Sequence, residues 1–497
     1  MSNIRVTYSG LIAFGVAILG VVTGTLFIIM VTRKLSPEDF GLWTLIGSLV
    51  GYVTIVEPIV TYWSTRQIAR GVRIGKTAIS TSGVFSAGGL IAYFIIALYV
   101  SISLDADLNI LLLASFLIPL TFFVNILNSI SLGYKPQNAS FGSLSFEITK
   151  IPLGMVFVVF LQFGIIGALV TTIIAKSAQL VILVLITKEH LSGRISLEHI
   201  KFWLKMSWLT LYQSFYGLIY KLDVLLISIF TGSLVGLAYW GAASAVSNLV
   251  SHSRNLSQGL YPKLLAVAEN KIAEENLKRS MFFAIPLLGG TILFVKPIMY
   301  ILNPIYVDGY FISIIIAFRS FANLLMGFFF SILESFETID MNTNATFKKY
   351  IKSNLFLTPT FLLILSTIYV VGLAIFLILP DSKKLDEINI VTIWAYILLV
   401  ITVAFMILGY VIVKKRYNFS FPIIPIGKYL LATIIASIPV YFYVESLIVY
   451  TESVYDFIPQ LIFPLIMGGL IYFGISYLID NSTRELFWSI VKEIRKK

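Results

Sequence analysis

Residues 31–45 read VTRKLSPEDFGLWTL, a short polar stretch between two long apolar runs. Arg33 and Lys34 precede Leu35, Ser36 and Pro37; Glu38 and Asp39 follow, and Phe40, Gly41 and Trp43 lead back into apolar sequence. Proline favours a turn or a helix start, and carboxylates suit the positive end of the helix that begins there. The stretch therefore reads as the turn of a helical hairpin, with Phe40 and Trp43 of the kind that sits at a membrane interface.

The flanking sequence decides the fold class. Of 497 residues, 58% are hydrophobic and 12% charged, against about 25% charged in soluble proteins. Apolar runs of roughly 20 residues recur along the whole chain, each long enough to cross a hydrocarbon core of about 30 Å as a helix. The predicted fold is an all-α polytopic membrane protein of about 14 transmembrane helices. They lie near 9–31, 41–63, 79–102, 109–130, 145–161, 164–187, 207–230, 233–251, 281–302, 309–333, 354–379, 389–413, 428–450 and 458–479. The fifth, which carries Glu147 and Lys150, and the eighth, rich in Gly, Ala and Ser, are the least apolar. The first run is too long for a signal-peptide core and lacks a small-residue cleavage site, so it is read as the first span.

Charge orients these spans. With the N-terminus inside, 27 Lys and Arg fall in inside segments and 4 in outside loops, the other 5 lying within spans. That bias predicts a multi-pass protein of the cytoplasmic membrane with both termini cytoplasmic. It also accounts for the net charge of +11 without nucleic acid, whose recognition needs a basic face on a soluble domain. No cysteine is present, which excludes disulfides, thiol catalysis and Cys-ligated metals. The five N-x-S/T triplets, beginning at Asn138, Asn255, Asn344, Asn418 and Asn481, all fall on the expected inner side. Residues 194–206, RISLEHIKFWLKM, place Lys201 and Lys205 one turn apart beside Phe202 and Trp203, the pattern of a helix lying along the inner interface before it dives. The tail RELFWSIVKEIRKK has the same pattern.

An internal repeat organises the chain. The first span and its exit, MVTRKLSPEDFGLWTLIGSL, align with SIFTGSLVGLAYWGAASAV at an offset of 199, placing Thr32 on Thr231, Leu35 on Leu234 and Phe40 on Tyr239. Six spans precede the basic segment near 188–206 and eight follow it.

TRKLSPEDFGLWTL after a first span near the N-terminus resembles the signature of the polysaccharide flippases, exporters of lipid-linked oligosaccharides within the multidrug and toxin extrusion superfamily. The resemblance implies two six-helix lobes in a V plus two C-terminal helices. Residues 1–190 would form the N-terminal lobe, 191–416 the C-terminal lobe with an interfacial entry helix, and 417–497 the two additional spans and a basic tail. It further implies alternating access to a cationic cavity that accepts a polyprenyl-pyrophosphate-linked glycan while the lipid tail stays in the membrane. The implied partners are that anionic glycan lipid, membrane lipid and glycan-assembly enzymes, for a protein working as a monomer with no cofactor beyond a coupling proton or sodium. Drug antiporters and peptidoglycan-precursor flippases share the architecture.

Ionisable groups within spans cost several kcal/mol and so face a cavity or a partner. Arg319, midway along the tenth span with Asn323 one turn on, and Lys176, midway along the sixth with Gln179 one turn on, are the leading substrate-binding candidates. Either could instead tie down a helix end or a carboxylate. Lys150 and Lys296 lie towards span ends, where a lysine snorkels to the interface. Lys221 and Asp223, two residues apart, point to different faces; Lys221 is assigned to the cavity beside Tyr216 and Tyr220, and Asp223 to another pairing or to a coupling cation. Glu57 precedes Pro58 inside the second span, where proline kinks the helix. A carboxylate out of water holds a proton more readily, so Glu57 is an ion-coupling candidate, with an ion pair to a cavity cation as the alternative. Arg66 and Arg70, one turn apart just past that span, either meet phosphate at the inner mouth or serve topology alone.

Enzymatic readings find little support. There is no phosphate-binding GxxxxGK[ST] loop, no HExxH, and only His190, His199 and His252 among histidines. Asp105 and Asp107 form a D-x-D, but in a loop of about six residues, too short to hold an acceptor for sugar transfer.

Overall fold

The computed structural model describes residues 6–69, 71–135, 137–191, 193–251, 270–337, 347–451, 453–481, 483–485 and 488, and among them it is helical without strands. The order begins with α1 (Val6–Lys34), α2 (Pro37–Val53), α3 (Pro58–Ala69), α4 (Gly75–Leu104), α5 (Leu108–Ala114) and α6 (Leu117–Tyr134). It continues with α7 (Gln137–Gly154), α8 (Gly164–Thr187), α9 (Leu197–Thr231), α10 (Val235–Ser251), α11 (Asn270–Leu302) and α12 (Tyr310–Ser335). The short α13 (Phe347–Ile351) precedes α14 (Asn354–Ile378), α15 (Glu387–Tyr417), α16 (Ile423–Leu447) and α17 (Val454–Ile479). A helix occupies each of the fourteen expected spans, and among the described residues 12 are long and apolar enough to cross a membrane. Of the remaining expected spans, α1 has 29 residues and α10 has 17.

The hairpin at 31–45 forms as its residues dictate. Ser36 caps α2, its Oγ accepting the Asp39 N–H at 3.1 Å, with Pro37 in the first turn and Glu38 and Asp39 at the positive end. At the aligned hairpin, Ser233 Oγ accepts the Val235 N–H at 3.1 Å. The aligned threonines also make matching bonds: Thr32 donates to the Ile28 carbonyl at 2.8 Å and Thr231 to the Ile227 carbonyl at 2.7 Å. The two hairpins pack directly, because Gly41 lies against the Leu234 carbonyl and Gly241 against Phe40 and Thr44.

The chain divides into two compact units, Met1–Gly241 with Ser366–Glu387, and Ala242–Leu365 with Ile388–Lys497. In the first, a buried cluster joins Ile59, Val60 and Ile68 of α3 to Val124, Leu127 and Ile130 of α6, Leu183 of α8 and Trp203 of α9. In the second, Phe282 of α11 meets Tyr429 of α16 at 5.3 Å and Tyr472 of α17 at 5.5 Å between ring centroids, and the Tyr472 hydroxyl donates to the Phe282 carbonyl at 2.6 Å. The two C-terminal helices are thereby docked on α11. Beside this contact buried Asp480 accepts from the Tyr429 hydroxyl and the Thr483 N–H, both at 3.0 Å.

Two expectations change. Residues 197–231, expected as an interfacial helix that then dives, form one continuous helix of 35 residues. Ser196 caps it and Gly217 is its only glycine; no proline interrupts it, so nothing stops propagation over roughly 52 Å. Trp203 is fully buried, its Nε1 donating to Gln67 Oε1 at 3.2 Å. Lys150 does not snorkel: it is 6% exposed and pairs with Glu147 at 2.6 Å, its ammonium 4.9 Å from the Phe146 ring centre. Lys296 is exposed and lies over the Tyr310 ring at 4.8 Å. The basic C-terminal tail lies largely outside the described residues.

Candidate functional site

Proline builds the site. Lacking an N–H, Pro58 cannot continue the α2 ladder, and Thr54–Val56 tightens into a 3-10 turn before α3 begins at Pro58. This break, inside the second span, turns Glu57 towards a polar cavity of about 410 Å³ in the first unit. Its walls come from the α2–α3 break (Gly51, Thr54, Glu57, Thr61), from α6 (Asn125, Asn128, Ser129) and from α9 (Ser214, Lys221).

Glu57 is held from one side. Asn125 Nδ2 donates to its Oε2, while Oε1 is buried without a hydrogen-bond partner. Lys176, half-buried on α8, donates its ammonium to Thr121 Oγ1 at 3.2 Å. Glu57 and Lys176 attract each other electrostatically without a direct ion pair.

Lys221 reaches the cavity because Gly51 has no side chain: a Cβ there would collide with the Lys221 ammonium. The Tyr52 hydroxyl donates to the Lys221 carbonyl and fixes that turn of α9 against α2. Asp223 faces elsewhere, as the helical offset requires. It is 3% exposed and accepts the Tyr369 hydroxyl at 2.6 Å, with the Tyr220 ring tilted at 33° to Tyr369 at 5.3 Å between centroids. Tyr216 is half-buried on α9.

Arg66 is exposed near the end of α3 with its guanidinium 4.6 Å over the Tyr62 ring. Arg70 lies outside the described residues. Arg319 and Asn323 are both half-buried, one turn apart on α12 in the second unit. Asp105 and Asp107 do helix-end work: Asp105 closes α4 in the left-handed region at φ 51°, and Asp107 Oδ1 accepts the Asn109 N–H at 2.8 Å to cap α5.

The sequence reading missed Asn125 and Asn128 because it searched spans for charge. The available signal was TFFVNILNSISLGY, two amides at i and i+3 within an apolar span, where an uncharged polar group also needs a partner.

No protein-family model matches the chain, and no curated protein matches it. Solved structures do. The lipid II flippase MurJ in an inward closed conformation is similar over 96% of this chain and 100% of its own, at 15% identity and a TM-score of 0.68. An inward-facing multidrug resistance MATE family transporter of the MOP superfamily is similar over 80% of this chain and 96% of its own, at 14% identity and 0.56. MATE in its straight conformation gives 83% and 95%, at 14% identity and 0.54. These neighbours are a flippase and transporters, not enzymes, and the chain has the all-helical, multi-span membrane fold that they share.

Proposed function

We propose that the protein flips an anionic lipid-linked glycan, a polyprenyl-pyrophosphate oligosaccharide or polysaccharide repeat unit, across the cytoplasmic membrane by alternating access. The observation that carries this reading is a polar cavity built inside membrane spans, with Glu57 and Lys221 on its walls and Lys176 acting electrostatically on Glu57. Charges at such depth are retained for cargo or ion pathways. The mid-span cations Lys176 and Arg319, one in each compact unit, suit pyrophosphate better than the cationic cargo of a drug antiporter. Outward movement of an anion from an inside-negative cell is driven by about 2.3 kcal/mol per charge per 100 mV crossed, so a coupling ion at Glu57 would assist without being required. Asp223, paired with Tyr369, is the second such candidate.

Likeness to the lipid II flippase MurJ over almost the whole chain supports a second reading, a peptidoglycan lipid precursor as cargo. Both readings are tested in proteoliposomes by following a fluorescent lipid-pyrophosphate oligosaccharide, and separately a labelled lipid II, from one leaflet to the other. The expected result is movement of the oligosaccharide lipid that Lys176→Ala and Arg319→Ala each abolish, with both variants still folded. Normal movement in both variants would sink the cationic-cavity account, and movement of lipid II alone would assign the second cargo.

A further inference from the structure

Pro286 lies inside α11, where it lacks the N–H that would bond the Phe282 carbonyl one turn earlier. Within a membrane that carbonyl has no water to turn to and needs another donor. It finds one in the Tyr472 hydroxyl of α17, which donates at 2.6 Å from a side chain only 3% exposed. Among the described residues, no other proline inside a helix has a side-chain donor on the carbonyl it vacates. The bond is therefore particular to this break and is not a general consequence of proline in a span.

The residues that follow weaken α11 further. Gly289 and Gly290 are of the type that favours helix least after proline. The Thr291 hydroxyl donates back to the Leu287 carbonyl at 2.8 Å, a bond that bends helices. Both C-terminal helices touch this stretch: α17 through Tyr472, and α16 at Gly289, where a Cβ would meet Thr433 at 2.6 Å. The Tyr429 ring of α16 also meets the Phe282 ring edge-on at 5.3 Å, and Asp480 accepts the Tyr429 hydroxyl at 3.0 Å. The weakest part of α11 is thus gripped on either side of Pro286 by the pair that follows it in the chain.

We propose that Pro286 to Thr291 form a hinge in α11 and that α16 and α17 are the strap that sets its angle, with the Tyr472 hydroxyl standing in for the missing N–H. The Phe282 carbonyl stays bonded only while α17 is in place, so α11 changes its bend only when the C-terminal pair shifts with it. Tyr472 is a positioning residue, and the device holds whichever cargo the protein carries.

The chain contains no cysteine, so spin labels can be attached at Arg279→Cys and Lys296→Cys. These exposed positions flank the hinge and would lie about 26 Å apart on a straight helix. The distance between the labels is measured in the full chain in lipid vesicles, without further change and with Tyr472→Phe, Pro286→Ala or both. The strapped hinge should give one narrow distance, shorter than that of Pro286→Ala, in which the N–H is restored. Tyr472→Phe should broaden or shift the distance when Pro286 is present and leave it unchanged when Pro286→Ala is present. The melting temperature should follow the same rule, falling on loss of the hydroxyl only in the proline background. A distance that Tyr472→Phe does not alter, or alters equally in both backgrounds, overturns the proposal. Should Tyr472→Phe fail to fold, recovery of folding by Pro286→Ala supports the strap, and failure of the double variant overturns it.

Discussion

Lys150 and Glu147 show how a neighbour redirects a side chain. A lysine near a span end ordinarily extends to the interface, but here Glu147 sits one turn earlier on α7 and its Oε2 receives both the Lys150 ammonium and the Thr23 hydroxyl from α1. The ring of Phe27, also from α1, lies 5.8 Å from the same ammonium. Removing one partner of a buried pair strands the other, at a cost of about 3–5 kcal/mol, whereas replacing both by apolar groups of similar size costs little. Lys150→Met should therefore lower the melting temperature in detergent markedly, and Lys150→Met with Glu147→Leu should recover most of it. Equal melting of the single variant and wild type would show that the pair does not hold α1 to α7. Glu57 contrasts with this pair: its neutral partner Asn125 satisfies one oxygen and leaves the other buried without a hydrogen-bond partner.

Among elements, the 31–45 hairpin acquires a role that its polarity disguised. Arg33, Lys34, Glu38 and Asp39 look like a site, yet Glu38 and Asp39 lie in the first turn of α2, and the residue that matters for packing is Gly41. A methyl group there would overlap the Leu234 carbonyl, which is backbone and cannot rotate away. At Gly241 a methyl group would meet Thr44 Oγ1 at 2.7 Å and Phe40 at 3.2 Å, both side-chain atoms that can move. Overpacking costs about 1–3 kcal/mol where relief is poor. Gly41→Ala is accordingly expected to lower the melting temperature clearly more than Gly241→Ala, and the reverse order would refute close packing of the two hairpins at Gly41. The repeat was legible from Thr32 and Thr231, whose matched back-bonds are local to each helix, but the contact between the hairpins depends on how the helices cross.

At the scale of the whole molecule, composition and run length were enough for the fold class, because uninterrupted apolar runs of about 20 residues cross a bilayer as helices. The orientation drawn from the charge bias is open to a clean experiment, since the chain contains no cysteine. Asp381→Cys, in the exposed turn before α15, should react with a membrane-impermeant thiol reagent added to intact cells, and Val72→Cys, in the turn before α4, should react only after permeabilisation. Opposite labelling would invert the topology and with it the direction of the proposed transport.

By itself, the sequence determined the places of the apolar helices, the turn and helix start at Pro37, the break at Pro58, and the ionisable groups that must find company in the membrane. Each of these is local: it follows from hydropathy, backbone chemistry or the cost of a buried charge within a few residues. Tertiary structure decided which groups meet. It brought Asn125 to Glu57, Thr121 to Lys176, Tyr369 to Asp223 and Glu147 to Lys150, and left Glu57 Oε1 and Asn128 Oδ1 buried without hydrogen-bond partners. A hydrogen bond is made or lost over a few tenths of an ångström, and such distances between helices far apart in the chain exist only once those helices have packed.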